Sequence, residues 1–135
     1  MRFMARQILA VAVGIVLNIL LEAAGGYFLY LVSNALTEGK LGQLARYIIS
    51  PVTALLVGAC VGALAKARPG LLAALSVIPL GLYFFRAWHR VEGHFLFFLS
   101  LQVMYLLIAA TAASLVFRAR ARMRRGRQEV QLTNN

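Results

Sequence analysis

Four separate apolar stretches fill most of this chain: Ile8 to Val32, Tyr47 to Ala65, Leu71 to Phe85 and Phe95 to Phe117. A helix rises about 1.5 Å per residue, so roughly 20 apolar residues cross a hydrocarbon core about 30 Å thick. The first and last stretches are long enough to cross at a tilt, the second is a close match, and the third is short. The expected fold class is all-α membrane, a four-helix transmembrane bundle with short loops over residues 1–117. A tail over 118–135, first basic and then polar, follows it. Composition agrees with that reading. Charged residues are 13% of the chain, against about 25% in soluble domains, so water is a poor solvent for such a surface.

The net charge of +10 is unevenly placed. If the N-terminus lies inside and all four stretches span, Arg2, Arg6, Lys66, Arg68 and the six arginines Arg118, Arg120, Arg122, Arg124, Arg125 and Arg127 all fall inside. Lys40, Arg46, Arg86 and Arg90 fall outside. Ten of fourteen basic residues on one side is the positive-inside bias of short loops, and it predicts both termini in the cytoplasm of a cell (inner) membrane. A cleaved signal peptide fits the first stretch poorly. Cleavage after Ala24 sets Glu22 at a position that wants a small residue, and the apolar run continues through Val32.

The connections are short. Residues 33–46 are polar and glycine-containing and read as an outer loop, flanked by Tyr27, Tyr30 and Tyr47 at headgroup level. Lys66-Ala67-Arg68-Pro69-Gly70 reads as a compact inner turn, with glycine relaxing it. Pro79 in the third stretch frees a carbonyl, and Ser76 is near enough to satisfy it. The outer segment 86–94 holds Trp88, an interface anchor, and His89, Glu92 and His94, whose spacing matches no helical metal motif. No metal site is expected. Gln128 to Asn135 reads as a disordered polar end.

Two stripes carry the remaining information. In the second stretch Ser50, Ala54, Gly58 and Gly62 recur every fourth residue, and small residues let another helix backbone approach closely. Two readings are open at that face: packing against the first or fourth helix of the same chain, or a homodimer seam through Gly58-x-x-x-Gly62. In the first stretch Gly14, Asn18, Glu22 and Gly26 share the same spacing. Glu22 lies about 15 Å along the axis from the polar residues at Ser33. A carboxylate at that depth pairs, meets water or takes up a proton. Its candidate partners are Asn18, Gln102, Tyr105, Ser76, Arg86 and Arg46, and its candidate role, with Asn18, is proton or ion coupling. Cys60 is the single cysteine, which excludes an intrachain disulfide.

The arginine tract from Arg118 to Arg127, taken as a continuing helix, carries charge around most of its circumference. That pattern suits a topology anchor held by anionic lipid at the cytoplasmic face. No folded recognition module accompanies it, which leaves nucleic acid an unsupported partner. The chain has no phosphate loop, haem motif, HExxH or membrane-embedded serine–histidine pair, and nothing calls for a cofactor. An enzyme is the class with least support. The leading expectation is a small integral membrane protein acting as an interaction, assembly or accessory subunit, with a membrane-protein partner or a second copy.

Four helices, short loops and the first-helix Glu22-x-x-Gly25 give a second expectation, because the chain here resembles the small multidrug resistance transporters. The resemblance covers four residues. That family usually follows its glutamate with Gly-Thr, where this chain has Gly25-Gly26. Its fourth helix carries a glycine-containing dimer motif, whereas Phe95 to Phe117 has no glycine. The resemblance implies a dimeric, proton-coupled secondary transporter with Glu22 as the coupling carboxylate.

Overall fold

The computed structural model describes residues 2–35, 39–88 and 95–133, with side chains described for 3–28, 30–31, 48–83, 96 and 99–127. The described chain is all-helical: α1 (Arg2–Ala35), α2 (Gly39–Leu64), α3 (Pro69–Trp88) and α4 (Phe95–Thr133). Among the described residues two helices are long and apolar enough to cross a membrane, over Phe3–Phe28 and Leu99–Arg127. The apolar parts of α2 and α3, Ile48–Leu64 and Pro69–Tyr83, are shorter.

The helices overrun the apolar stretches. Most of the expected outer loop 33–46 is helical, because α1 continues to Ala35 and α2 already begins at Gly39. Lys40, Leu41, Gln43, Leu44, Ala45 and Arg46 are good helix formers whatever their polarity, so a polarity boundary is not a helix boundary. The same holds beyond Phe117. Alternating alanine and arginine propagate α4, and residues 128–133, expected to be disordered, lie in its last turns. Trp88, expected in a loop, ends α3. His89, Glu92 and His94 lie outside the described residues.

The turn between α2 and α3 differs from expectation in its mechanics. Pro69 opens α3, where its missing N–H costs nothing and its fixed φ suits the first helical position. Gly70 is already helical, so the left-handed residue is Arg68, at φ 48°. A residue before proline avoids the right-handed helical region, and here that restriction falls on a side chain with a Cβ. The amide of Ala65 reaches the carbonyl of Val61 at 2.8 Å, and that of Leu72 reaches Arg68 at 3.2 Å.

Around the bundle the order is α1, α2, α4, α3. The most extensive seam is α2 against α4; α2 and α3 meet across the short diagonal, and among the described residues α1 and α4 do not meet. The core is built of small side chains: Ala54, Val57 and Val61 of α2, Ala73 and Val77 of α3, and Ala109 and Ala113 of α4, with Leu17 and Leu21 of α1 against them. Among the described residues the largest fully buried side chains are Val57, Val61 and Ser76. Large apolar side chains lie on the outside, among them Met4, Ile8, Leu20, Phe28, Leu82 and Leu107. Soluble domains bury their large hydrophobics. This chain distributes volume the other way round.

Candidate functional site

The stripe on α1 begins inside the bundle. A Cβ built on Gly14 would stand 2.7 Å from both Ser76 Cβ and Val61 Cγ2, so glycine is what lets α3 and α2 close on α1 here. The Ser76 hydroxyl, drawn in by that approach, donates to the carbonyls of Leu72 at 2.9 Å and Val11 at 3.4 Å. It therefore links α3 to α1 and serves its own preceding turn. Asn18, one turn further along α1, is buried at 3% exposure.

Glu22 is half-buried, and Ser50 of α2 donates its side-chain hydrogen bond to the carboxyl. Ser50 was absent from the partners that sequence reasoning proposed for Glu22. The signal available was weak: a serine on a small-residue stripe, one residue before Pro51, which lies inside α2 and cannot donate to the carbonyl four residues back. Alongside, Gly25 lies against Ile49; a Cβ there would meet Ile49 Cγ2 at 2.5 Å. Gly26 is exposed, with nothing described within 4 Å of a built Cβ. The stripe thus runs from the interior at Gly14 and Asn18, through a boundary position at Glu22, to the exterior at Gly26.

On α2 the small-residue stripe serves two neighbours. Ser50 faces α1 as described. Ala54, Gly58 and Gly62 are buried, and the two glycines lie against the backbone of α4: Gly58 on Ala109 and Gly62 on Ala113, with the facing carbonyl oxygens closest. This seam lies within one chain. Gln102, proposed for Glu22, instead abuts Gly81 of α3, where a Cβ would meet its Oε1 at 2.6 Å.

At the other end of the bundle the polar groups serve helix termini. Arg120 donates through Nη1 to the carbonyl of Ala63, one of the last carbonyls of α2 that no helical amide can reach. Gln7 of α1 donates through Nε2 to Ala67 in the α2–α3 turn at 3.2 Å, and its Oε1 is buried without a partner. Arg118, Arg122, Arg124, Arg125 and Arg127 are exposed along the α4 extension. Among the described residues no group of three or more His, Cys, Asp or Glu lies together as a metal site. The side chains of Arg46 and Arg86 lie outside those described. No protein-family model, curated protein or solved structure matches this chain.

Proposed function

We propose that this chain is a multi-pass membrane protein, crossing four times with both termini in the cytoplasm, and that it works as an assembly or accessory subunit. The membrane reading is supported by the inverted distribution of volume. Helices in lipid associate through small residues because lipid tails offer no hydrophobic drive, and the large apolar side chains then face the tails. The orientation is supported by the gathering of Arg6, Lys66, Arg120 and Arg124 at one end of the bundle.

One observation carries the assembly reading: the far end of the polar-and-small stripe of α1 has no cover among the described residues. Glu22 is only half-covered, and next to it Ala23 and Gly26 are exposed, so a small-residue approach site beside a carboxyl faces outward. In lipid a carboxyl at such a boundary is costly, and a partner helix seated on Ala23 and Gly26 would complete its cover. The test is a photo-reactive residue at position 23 in intact membranes, with Gly26→Leu as the blocking variant. A discrete protein adduct that Gly26→Leu abolishes, with the helical content unchanged, is the expected result. Lipid adducts alone would overturn the reading.

The same boundary position supports a second reading, proton-coupled transport by a dimer with Glu22 as coupling group and Asn18 beside it. Glu22→Gln keeps the hydrogen bond from Ser50 and removes the exchangeable charge, so it separates the two. Proton-driven flux of hydrophobic cations in proteoliposomes would vanish in this variant if Glu22 couples. Equal flux in wild type and variant removes the transporter.

A further inference from the structure

At the basic end of the bundle a cleft of about 400 Å³ opens between the first turns of α1, the end of α2 and the α4 extension. Four of its lining residues are cations, Arg6, Lys66, Arg120 and Arg124, and among the described residues no carboxylate lines it; Phe3, Leu64 and Phe117 form an apolar wall. The fold brings the four together from α1, the α2–α3 turn and α4. Arg6 lies in the second turn of α1, where its charge adds to the positive pole of the helix's N-terminal end. Lys66 is fixed by the tight turn that follows α2. Arg120 is held by its bond to Ala63, and Arg124 follows one turn later on α4. Phe117 is the last apolar residue before the arginine tract and Leu64 the last residue of α2, so the wall marks where the apolar surface gives way to charge.

We propose that this cleft is a binding site for one anionic phospholipid, its phosphate among Arg6, Lys66, Arg120 and Arg124 and its acyl chains against Phe3, Leu64 and Phe117. Cations converging without a carboxylate repel one another, and an anion with several oxygens relieves that repulsion. Guanidinium groups suit a phosphate in particular, since each presents parallel N–H donors to two oxygens. The Nη1 of Arg120 is engaged by Ala63, which holds the guanidinium in place with its remaining donors available. The apolar wall selects a lipid over free phosphate, because only an amphiphile uses both halves of the cleft. This differs from a general attraction of the tail to an acidic surface. It names a stoichiometric site, and it includes residues of α1 and the α2–α3 turn as well as the tail. The inference rests on the membrane reading above.

The test compares two double variants of equal charge. Arg6→Gln with Arg124→Gln empties the cleft of two cations at exposed positions; Arg122→Gln with Arg125→Gln removes two charges that do not line it. The full chain in mild detergent is titrated with phosphatidylglycerol, phosphatidylcholine and inorganic phosphate, and native mass spectrometry counts retained molecules. General attraction gives roughly a fivefold loss per charge removed, the same for both pairs. The expected result is one tightly retained phosphatidylglycerol per chain, with the cleft pair losing at least about tenfold more affinity than the tail pair. Equal losses would overturn the site, and so would inorganic phosphate binding as tightly as the lipid. Alkaline carbonate extraction of vesicle-reconstituted protein keeps the two levels apart. Wild-type protein washed off the vesicles sinks the membrane reading, whereas protein that stays embedded while the two pairs behave alike sinks only the cleft.

Discussion

Replacing Gly58 with alanine adds one methyl group where the backbones of α2 and α4 approach closely. Its Cβ would stand 2.9 Å from both Cα and C of Ala109, with the Ala109 carbonyl oxygen nearer still. Carbon atoms rest at about 3.5–4.0 Å, so the new methyl is short of contact distance by about 0.6 Å or more. The obstacle is the α4 backbone, which has no rotamer to change. α4 must therefore move outward as a unit, and a gap of about 0.5–1 Å forfeits a quarter to a half of each dispersion contact along the seam. Those contacts belong to Ala54, Val57, Val61, Ala109 and Ala113, the centre of the core. The expected cost is about 1–3 kcal/mol, the usual penalty for an overpacked site, and Gly62→Ala against Ala113 should cost a similar amount. The double variant should cost clearly less than the two together, because one outward movement of α4 accommodates both methyls. The assay is unfolding of the full chain by sodium dodecyl sulfate in mixed micelles, followed by circular dichroism. Gly26→Ala is the reference, having nothing described within 4 Å of its Cβ. The reasoning would be falsified if Gly58→Ala unfolded within about 0.3 kcal/mol of that reference, a difference inside the usual scatter for independent sites.

Three further outcomes follow from other parts of the fold. Ser76→Ala removes the hydroxyl that reaches Leu72 and Val11, and should destabilise the bundle by about 0.6 kcal/mol, at most about 1.7, the range for hydrogen bonds between membrane helices; a larger loss in the same micelle unfolding assay would mean that Ser76 packs more than it bonds. Arg120→Gln should unfasten the end of α2, read as faster hydrogen exchange at Ala65, whose amide closes the last turn on Val61, and unchanged exchange there would show that the guanidinium contributes nothing to the cap. Reporter fusions within 36–38 and 89–94 should report the outside, and fusions at Lys66 and after Arg127 the inside; any inner site reporting outside breaks the proposed topology.

Four helices were legible because an uninterrupted apolar run longer than about 15 residues has few other folds available to it. Their ends were not legible. The hydropathy of residues 39–46 and 118–133 describes the solvent such residues prefer, and Lys, Gln, Ala and Arg propagate a helix in water as well as at a membrane surface. The stripe of Ala54, Gly58 and Gly62 announced a close approach without naming who approaches, since glycine is small toward any neighbour. Ala109 and Ala113 could answer it because they are small and four apart as well, yet the fourth stretch offers several such alanine pairs. Cross-helix partners such as Ser50 for Glu22 depend on the axial offset between two helices, and that offset is a property of the packed bundle which neither sequence stretch contains alone. Arg68 was missed for a different reason: the sequence puts glycine two residues later, and the proline between them moves the strained position forward.

Residues spaced by four look like one face on paper, but a helix with 3.6 residues per turn carries each successive member about 40° further round. Across three steps the stripe turns through about 120°, which is the angle between neighbours in a small bundle rather than a minor drift. On α2 this rotation decides which neighbour each residue meets: Ser50 hydrogen-bonds Glu22 of α1, while Gly58 and Gly62, further round, admit α4. On α1 it takes the stripe from burial at Gly14 and Asn18 to open exposure at Gly26. A stripe meant for one partner over its full length would need the 3.5-residue repeat of a supercoiled pair. The two stripes here therefore divide their work between neighbours. On α2 both neighbours belong to this chain, whereas on α1 the far end has none among the described residues. The carboxyl of Glu22 sits at the place where α1 turns from its own bundle toward whatever lies outside.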